Sequence, residues 1–103
     1  MEYIEIAKFK LKADCSDEHF DAQFIEAERL VRAGIIKETP GYLGRELYKS
    51  DRNEWVIILR YDSKRNMDAL LASLKENLHS SFQAYAAAID FSTMRMEFFT
   101  KQL

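Results

Sequence analysis

With 103 residues, 48% of them apolar and 31% charged, the chain can build one hydrophobic core but not two. Fifteen basic residues against seventeen acidic ones give a formal charge of −2, which offers no electrostatic footprint for nucleic acid or an anionic membrane. Three glycines and one proline argue against disorder, and Cys15, a lone cysteine, excludes an internal disulfide.

Tyr3 to Lys12 reads as a first strand, with Ala7, Phe9 and Leu11 on one face and Lys8, Lys10 and Lys12 on the other. Ile4 and Ile6 share the lysine side, so that face is expected to be covered at one end and wet at the other. The lysines fit the solvated face of an edge strand, where they discourage strand-to-strand aggregation. Met1 to Glu5 shows no basic region followed by an apolar run, and no apolar stretch approaches the ~18–20 residues of a membrane span. A cytoplasmic protein is expected. Asp14 and Asp17 flank Cys15 and disfavour its reactive thiolate, so an inert cysteine is expected.

Ser16 is a plausible N-cap for a helix from about Asp17 to Ile36, in which Phe20, Phe24, Ala27, Leu30 and Val31 recur at spacings of three and four. Gly34 or the segment Glu38-Thr39-Pro40-Gly41 ends it, since the residue before a proline disfavours helix. A second strand follows from Tyr42 to Lys49, and Ser50-Asp51-Arg52-Asn53 supplies turn chemistry for a hairpin. The third strand, Trp55 to Tyr61, is apolar on both faces: Trp55, Ile57, Leu59 and Tyr61 oppose Val56 and Ile58. A sheet buried on both sides needs two covers. This chain's own helices supply one, and a second copy of the chain is the simplest source of the other.

Asp62-Ser63 can cap a second helical region from about Asn66 to Ile89, whose stripe is Met67, Leu70, Leu71, Leu74, Leu78, Phe82, Tyr85 and Ile89. His79-Ser80-Ser81 interrupts it, so two consecutive helices are possible. Thr93 to Lys101 closes the chain as a fourth strand, with Met94, Met96 and Phe98 opposite Arg95, Glu97 and Phe99. The order β-α-β-β-α-β defines one ferredoxin-like α+β domain over residues 1–103, a four-stranded antiparallel sheet with helices on one face.

Within this topology, Ile4-Glu5-Ile6-Ala7-Lys8-Phe9-Lys10, the turn Thr39-Pro40-Gly41-Tyr42-Leu43-Gly44 with Glu46-Leu47, the strand Trp55 to Tyr61, Asp68-Ala69-Leu70 and Ser81-Phe82-Gln83-Ala84-Tyr85 stand in a telling order. By these residues the chain resembles the antibiotic biosynthesis monooxygenase domain family of the dimeric α+β barrel superfamily. The resemblance implies a homodimer with facing sheets and, in each subunit, a small apolar pocket between sheet and helices. Some such proteins oxygenate aromatic polyketides without metal or flavin, others degrade haem, and many have no assigned activity. Many also carry a histidine close to the phenylalanine matched by Phe82. Here the nearest is His79, offset from that pattern, with Ser81 just before Phe82. Haem degradation is disfavoured, because Ala86 stands where the resemblance would put an axial histidine and no asparagine lies between Tyr3 and Lys12.

Other chemistries lack their signatures. Gly41 and Gly44 are wrongly spaced for a phosphate loop, His19, His79 and Cys15 are isolated in sequence, and no nucleophile elbow is present. No metal or cofactor is expected. His79 is the candidate proton acceptor for an acidic phenol or anthrone and Arg60 the candidate stabiliser of an oxyanion. Trp55, Phe82 and Tyr85 are candidates to grip a planar ring. Blander roles fit the same residues: His79 at a solvated helix kink, Trp55 in the core or dimer interface, Arg60 paired with Asp62 or Glu46. Three readings stay open: a cofactor-independent oxygenase acting on a small apolar aromatic molecule, a ligand-binding dimer without turnover, and a dimer whose pocket is closed by Phe20, Phe24, Phe82 and Phe98.

Overall fold

Alternation along the strands sorts the chain into a helix-covered side and an open side. The computed structural model describes residues 1–12, 18–36, 38–76 and 80–103, apart from the side chains of 18, 19, 35, 75, 76, 80–82 and 84. The proposed N-cap Ser16, Cys15 and His79 lie outside these residues. Four strands, β1 (Tyr3–Leu11), β2 (Tyr42–Lys49), β3 (Trp55–Tyr61) and β4 (Ile89–Thr100), form one antiparallel sheet in the order β2-β3-β1-β4. Tyr3 faces Tyr61 and Phe9 faces Trp55 across β1 and β3, while Arg45 faces Leu59 across β2 and β3. The topology is the ferredoxin-like one read from the sequence.

The first strand is nevertheless central, not an edge. It pairs with β3 on one side and β4 on the other, so the lysines on its open side do not protect a free edge. Lys8 lies opposite Arg95, and beyond it the register slips; there the Lys10 N–H donates to Thr93 Oγ1 at 2.8 Å, not to a strand carbonyl. Single-strand composition carries no information about neighbour order.

Helix α1 (Glu18–Val31) continues into a π-helical turn, Arg32–Ile36, which delivers Ile36 fully into the core. Its buried stripe is Phe24, Glu28 and Val31, whereas Leu30 is 45% exposed. Of the stripe expected, Phe24 and Val31 are buried and Ala27 packs against the core, while Leu30 turns outward and Glu28, which has an ionic partner inside, is buried in addition. The Thr39 hydroxyl donates to the Ile36 carbonyl at 2.7 Å and hydrogen-bonds the Tyr61 hydroxyl. Gly41 adopts φ +84°, and a Cβ there would collide with the side chains of Asp62 and Asn66, so the turn into β2 requires glycine.

Two helices follow β3, as the interruption at 79–81 suggests: α2 (Lys64–Glu76) and α3 (Ser80–Ala87). Ser63 caps the first, its Oγ accepting from the Asn66 N–H at 3.2 Å. Ile89, expected on the helical stripe, is the first residue of β4, which begins four residues earlier than Thr93. The core lies between sheet and helices, with Phe9, Trp55, Ile57, Leu59 and Tyr61 packed against Phe24, Met67, Leu70 and Tyr85. The other side of the sheet bears Ile4, Ile6, Val56 and Ile58, each half-buried, flanked by exposed Tyr48 and Phe99. No described helix is long and apolar enough to cross a membrane.

Candidate active site

One row across the sheet sets the chemistry of the helix-covered side. Its members are Arg45 on β2, Leu59 on β3, Glu5 on β1 and Phe98 on β4. Two charged residues therefore stand on a face that is otherwise apolar. Over them lies a cavity of about 640 Å³. Glu5, Ala7, Arg45, Ile57 and Leu59 form its floor, Leu71 and Leu74 of α2 and Tyr85 of α3 its walls, and Phe91, Met94 and Met96 of β4 its outer side. A volume of this size accommodates a small multi-ring molecule.

The polar groups gather around Arg45. Its Nε donates to Glu28 Oε1 at 2.5 Å and one of its Nη atoms donates to the Tyr85 hydroxyl at 3.2 Å. Arg32 approaches the same Glu28 oxygen at 3.8 Å. Glu5 is 6% exposed, and its Oε2 has no hydrogen-bond partner among the described residues. Burial pushes the Glu5 carboxyl above its usual range, an effect the Arg45 charge opposes. Burial likewise pushes the Tyr85 phenol far above its usual value, so it remains a hydroxyl at ordinary pH. Burial works against the Arg45 charge, but Tyr85, Glu28 and Glu5 outweigh it and raise its pKa. The site thus holds a fixed cation, a neutral phenol and a carboxyl of elevated proton affinity.

The candidates named from the sequence do not share one place. Tyr85 lines the cavity, stacked on Phe24 with ring centroids 4.9 Å apart. Trp55 lies behind Phe24, edge-on at 5.0 Å, and borders a different groove of about 580 Å³ along α1 and β2 with Asp21, Arg32 and Lys49. Arg60 is on the open side of the sheet, between Glu46 Oε1 at 3.3 Å and Glu2 Oε1 at 3.6 Å. The sheet separates it from Tyr85. Phe82 stands three residues before Tyr85 on α3, but its side chain, like all of His79, is outside the described residues. Among the described residues no cluster of three or more His, Cys, Asp or Glu could hold a metal ion.

Sequence reading overlooked Glu5, Arg45 and Glu28. A signal existed: Glu5 shares strand parity with Ala7 and Phe9, Arg45 with Leu47, and Glu28 is one helical turn beyond Phe24. Charged residues that interrupt apolar faces are the mark of a buried polar cluster.

No family model matches the sequence, and no curated protein matches it. Solved structures do, over nearly the whole chain, and the fold they share is that of proteins described as antibiotic biosynthesis monooxygenases. A putative antibiotic biosynthesis monooxygenase from Nitrosomonas europaea has 19% identity and a TM-score of 0.71, covering 97% of this chain and 89% of its own. SnoaB, a cofactor-independent oxygenase from Streptomyces nogalater, has 18% identity and a TM-score of 0.74, covering 99% and 94%. A monooxygenase from the gene ActVA-Orf6 of Streptomyces coelicolor, in complex with the ligand Nanaomycin D, has 13% identity and a TM-score of 0.65, covering 97% and 87%. The resemblance read from the sequence therefore holds at the level of the fold.

Proposed function

We propose that this protein is a small-molecule monooxygenase that acts on an apolar, enolisable aromatic substrate, of the anthrone or quinol class, without metal or flavin. The observation that carries the reading is the large apolar cavity whose charged groups are confined to one corner of its floor. Apolar walls select a flat hydrophobic body, and the polar corner orients its one reactive edge. The fold shared with SnoaB and with the ActVA-Orf6 monooxygenase supports the same reading.

The chemistry asked of the protein is proton removal and charge stabilisation. A methylene flanked by a carbonyl-conjugated ring loses a proton, the electron pair delocalises onto the carbonyl oxygen, and the electron-rich anion reduces dioxygen. The resulting hydroperoxide loses water, so that one CH₂ and one O₂ become one C=O and one H₂O. Arg45 and the Tyr85 hydroxyl are suited to stabilise the oxyanion, the role the sequence suggested for Arg60. Tyr85, with Phe82, would hold the ring. His79 and Glu5 are the two candidates for the proton acceptor. The second half of the proposal is a homodimer joined through the open sheet face, whose half-buried Ile4, Ile6, Val56 and Ile58 call for a cover.

Of the rings named as able to close the cavity, Phe24 packs onto Tyr85 and Phe98 is 43% exposed, which speaks for an open one. The test is oxygen uptake by metal-free protein on a panel of anthrones, quinols and catechols, with thermal shift on the same panel. Enzyme-dependent uptake is expected. Stabilisation without uptake would replace the oxygenase with a ligand-binding dimer.

A further inference from the structure

We propose that Glu5 is the proton acceptor of the cavity, its carboxylate receiving the substrate's proton at the polar corner of the floor. The inference rests on the reading of the cavity as a substrate site and assigns within it the base that this reading leaves open.

Geometry singles out Glu5. It lines the cavity, is almost fully buried, and has an oxygen with no partner among the described residues. Buried polar groups are as a rule hydrogen-bonded, so a carboxyl that lines a cavity and keeps one oxygen unpartnered has capacity for a donor from outside the described residues. The second buried carboxylate, Glu28, also keeps its Oε2 unpartnered among the described residues, but its Oε1 accepts from Arg45 and it does not line this cavity. One guanidinium thus stands near two carboxylates and neutralises one of them.

Among the described residues the surroundings add no competing base. The other charged or titratable groups there are Arg45 of β2, Tyr85 of α3 and, behind Arg45, Glu28 of α1; the described side chains of α2 and β4 at the cavity are Leu71, Leu74, Phe91, Met94 and Met96. Tyr85 is held as a hydroxyl and Arg45 as a cation, so neither accepts a proton. Burial raises the proton affinity of Glu5, which makes it a stronger base than an exposed carboxylate while leaving it ionisable.

The transfer balances without further partners. The substrate C–H or O–H bond breaks, its proton joins the Glu5 carboxylate, and the electron pair stays on the substrate as an enolate or phenolate. Its oxygen can be received by the Tyr85 hydroxyl of the wall and the Arg45 guanidinium of the floor, 3.2 Å from each other. Glu5 then returns the proton to the peroxide or to the water that leaves.

Proton removal can be read apart from oxygenation. The experiment incubates the protein anaerobically with anthrone in D₂O and follows deuterium entry at the methylene, for wild type, Glu5→Gln and His79→Ala. Wild type is expected to exchange above the buffer rate, rising with pH along one ionisation above the usual carboxylate range. Glu5→Gln should lose that ionisation and slow exchange by about 10²–10⁴-fold. Its melting temperature, which should not fall, separates this from misfolding. Glu5→Asp, which keeps a carboxyl one methylene further back, should recover part of the exchange. Exchange that survives in Glu5→Gln but vanishes in His79→Ala would overturn the assignment, as would no exchange by wild type. Exchange without oxygen uptake in air would overturn the oxygenase reading alone and leave Glu5 in place.

Discussion

Glu5 and Glu28 are both buried carboxylates on the helix-covered side, but their situations differ. Each keeps one oxygen without a partner among the described residues, but Glu28 is ion-paired with Arg45 at 2.5 Å. A charge left at Glu5 works against folding. Because burial raises the Glu5 pKa above its usual 4.5, the folded protein retains a proton that the unfolded chain has released in the interval between the two values. The stabilisation from this group is complete below 4.5 and is lost as pH rises through the folded value. Glu5→Gln, which keeps the shape of the protonated acid, should remove that decline. Thermal melts should coincide for variant and wild type near pH 4, with the variant melting higher at pH 8 by a margin that opens between the two pKa values and then levels off. A wild-type advantage at pH 8 would mean that Glu5 is ionised and well paired. These residues escaped the sequence reading because charge was read as solvent exposure, although Glu28 sits among Phe24 and Val31 at helical spacing. Tyr85 was legible, as an aromatic on a helical stripe.

The turn between α1 and β2 fixes where β2 starts and hence where Arg45 stands. Gly41 is held at φ +84° while its carbonyl accepts the Asp62 N–H at 2.9 Å, and Asp62 in turn accepts from the Asn66 side chain at 2.8 Å. Gly41→Ala meets both a disfavoured φ and the Asp62 and Asn66 side chains, so it should cost about 1–3 kcal/mol in urea denaturation. Gly34, with open space around its Cβ position, offers a control: Gly34→Ala should not show this loss. Boundaries set by such local chemistry were readable, as with Ser63 capping α2 and the turn at Ser50 to Asn53 ahead of β3. What pairing decides was not. Lys8, Lys10 and Lys12 suggested an edge, yet β1 is central, because the order of strands follows from the crossovers and the helix layer. The early start of β4 likewise depends on Leu11 pairing with Ile89, a partner remote in sequence.

At the scale of the assembly, the two sides of the sheet carry different tasks. The covered side bears the cavity, and the open side presents Ile4, Ile6, Val56 and Ile58 with charges around them: Arg60 with Glu2 and Glu46, and Arg95 with Glu54 at 2.8 Å. If a second copy covers this face, Ile58→Asp buries a charge against an apolar partner and should cost several kcal/mol, enough to yield insoluble or unfolded chain. In an isolated subunit the same position is half-open and the change would be mild. Sedimentation of the variant decides it: a soluble, folded monomer would refute an obligate dimer. The two-sided hydrophobicity of β3, seven residues long, is what raises the expectation of a second cover, since Val56 and Ile58 point away from the helices.

Glu5 and Arg45 stand on β1 and β2, while Leu71 and Leu74 come from α2 and Phe91, Met94 and Met96 from β4. Strand pairing admits no gradual displacement: a slip of one residue would turn Glu5 to the opposite side of the sheet. The surrounding apolar side chains can be exchanged one at a time for others of similar volume. Diversification of such a protein is therefore divided in advance, with the charged corner inherited as a unit and the apolar lining free to drift around it.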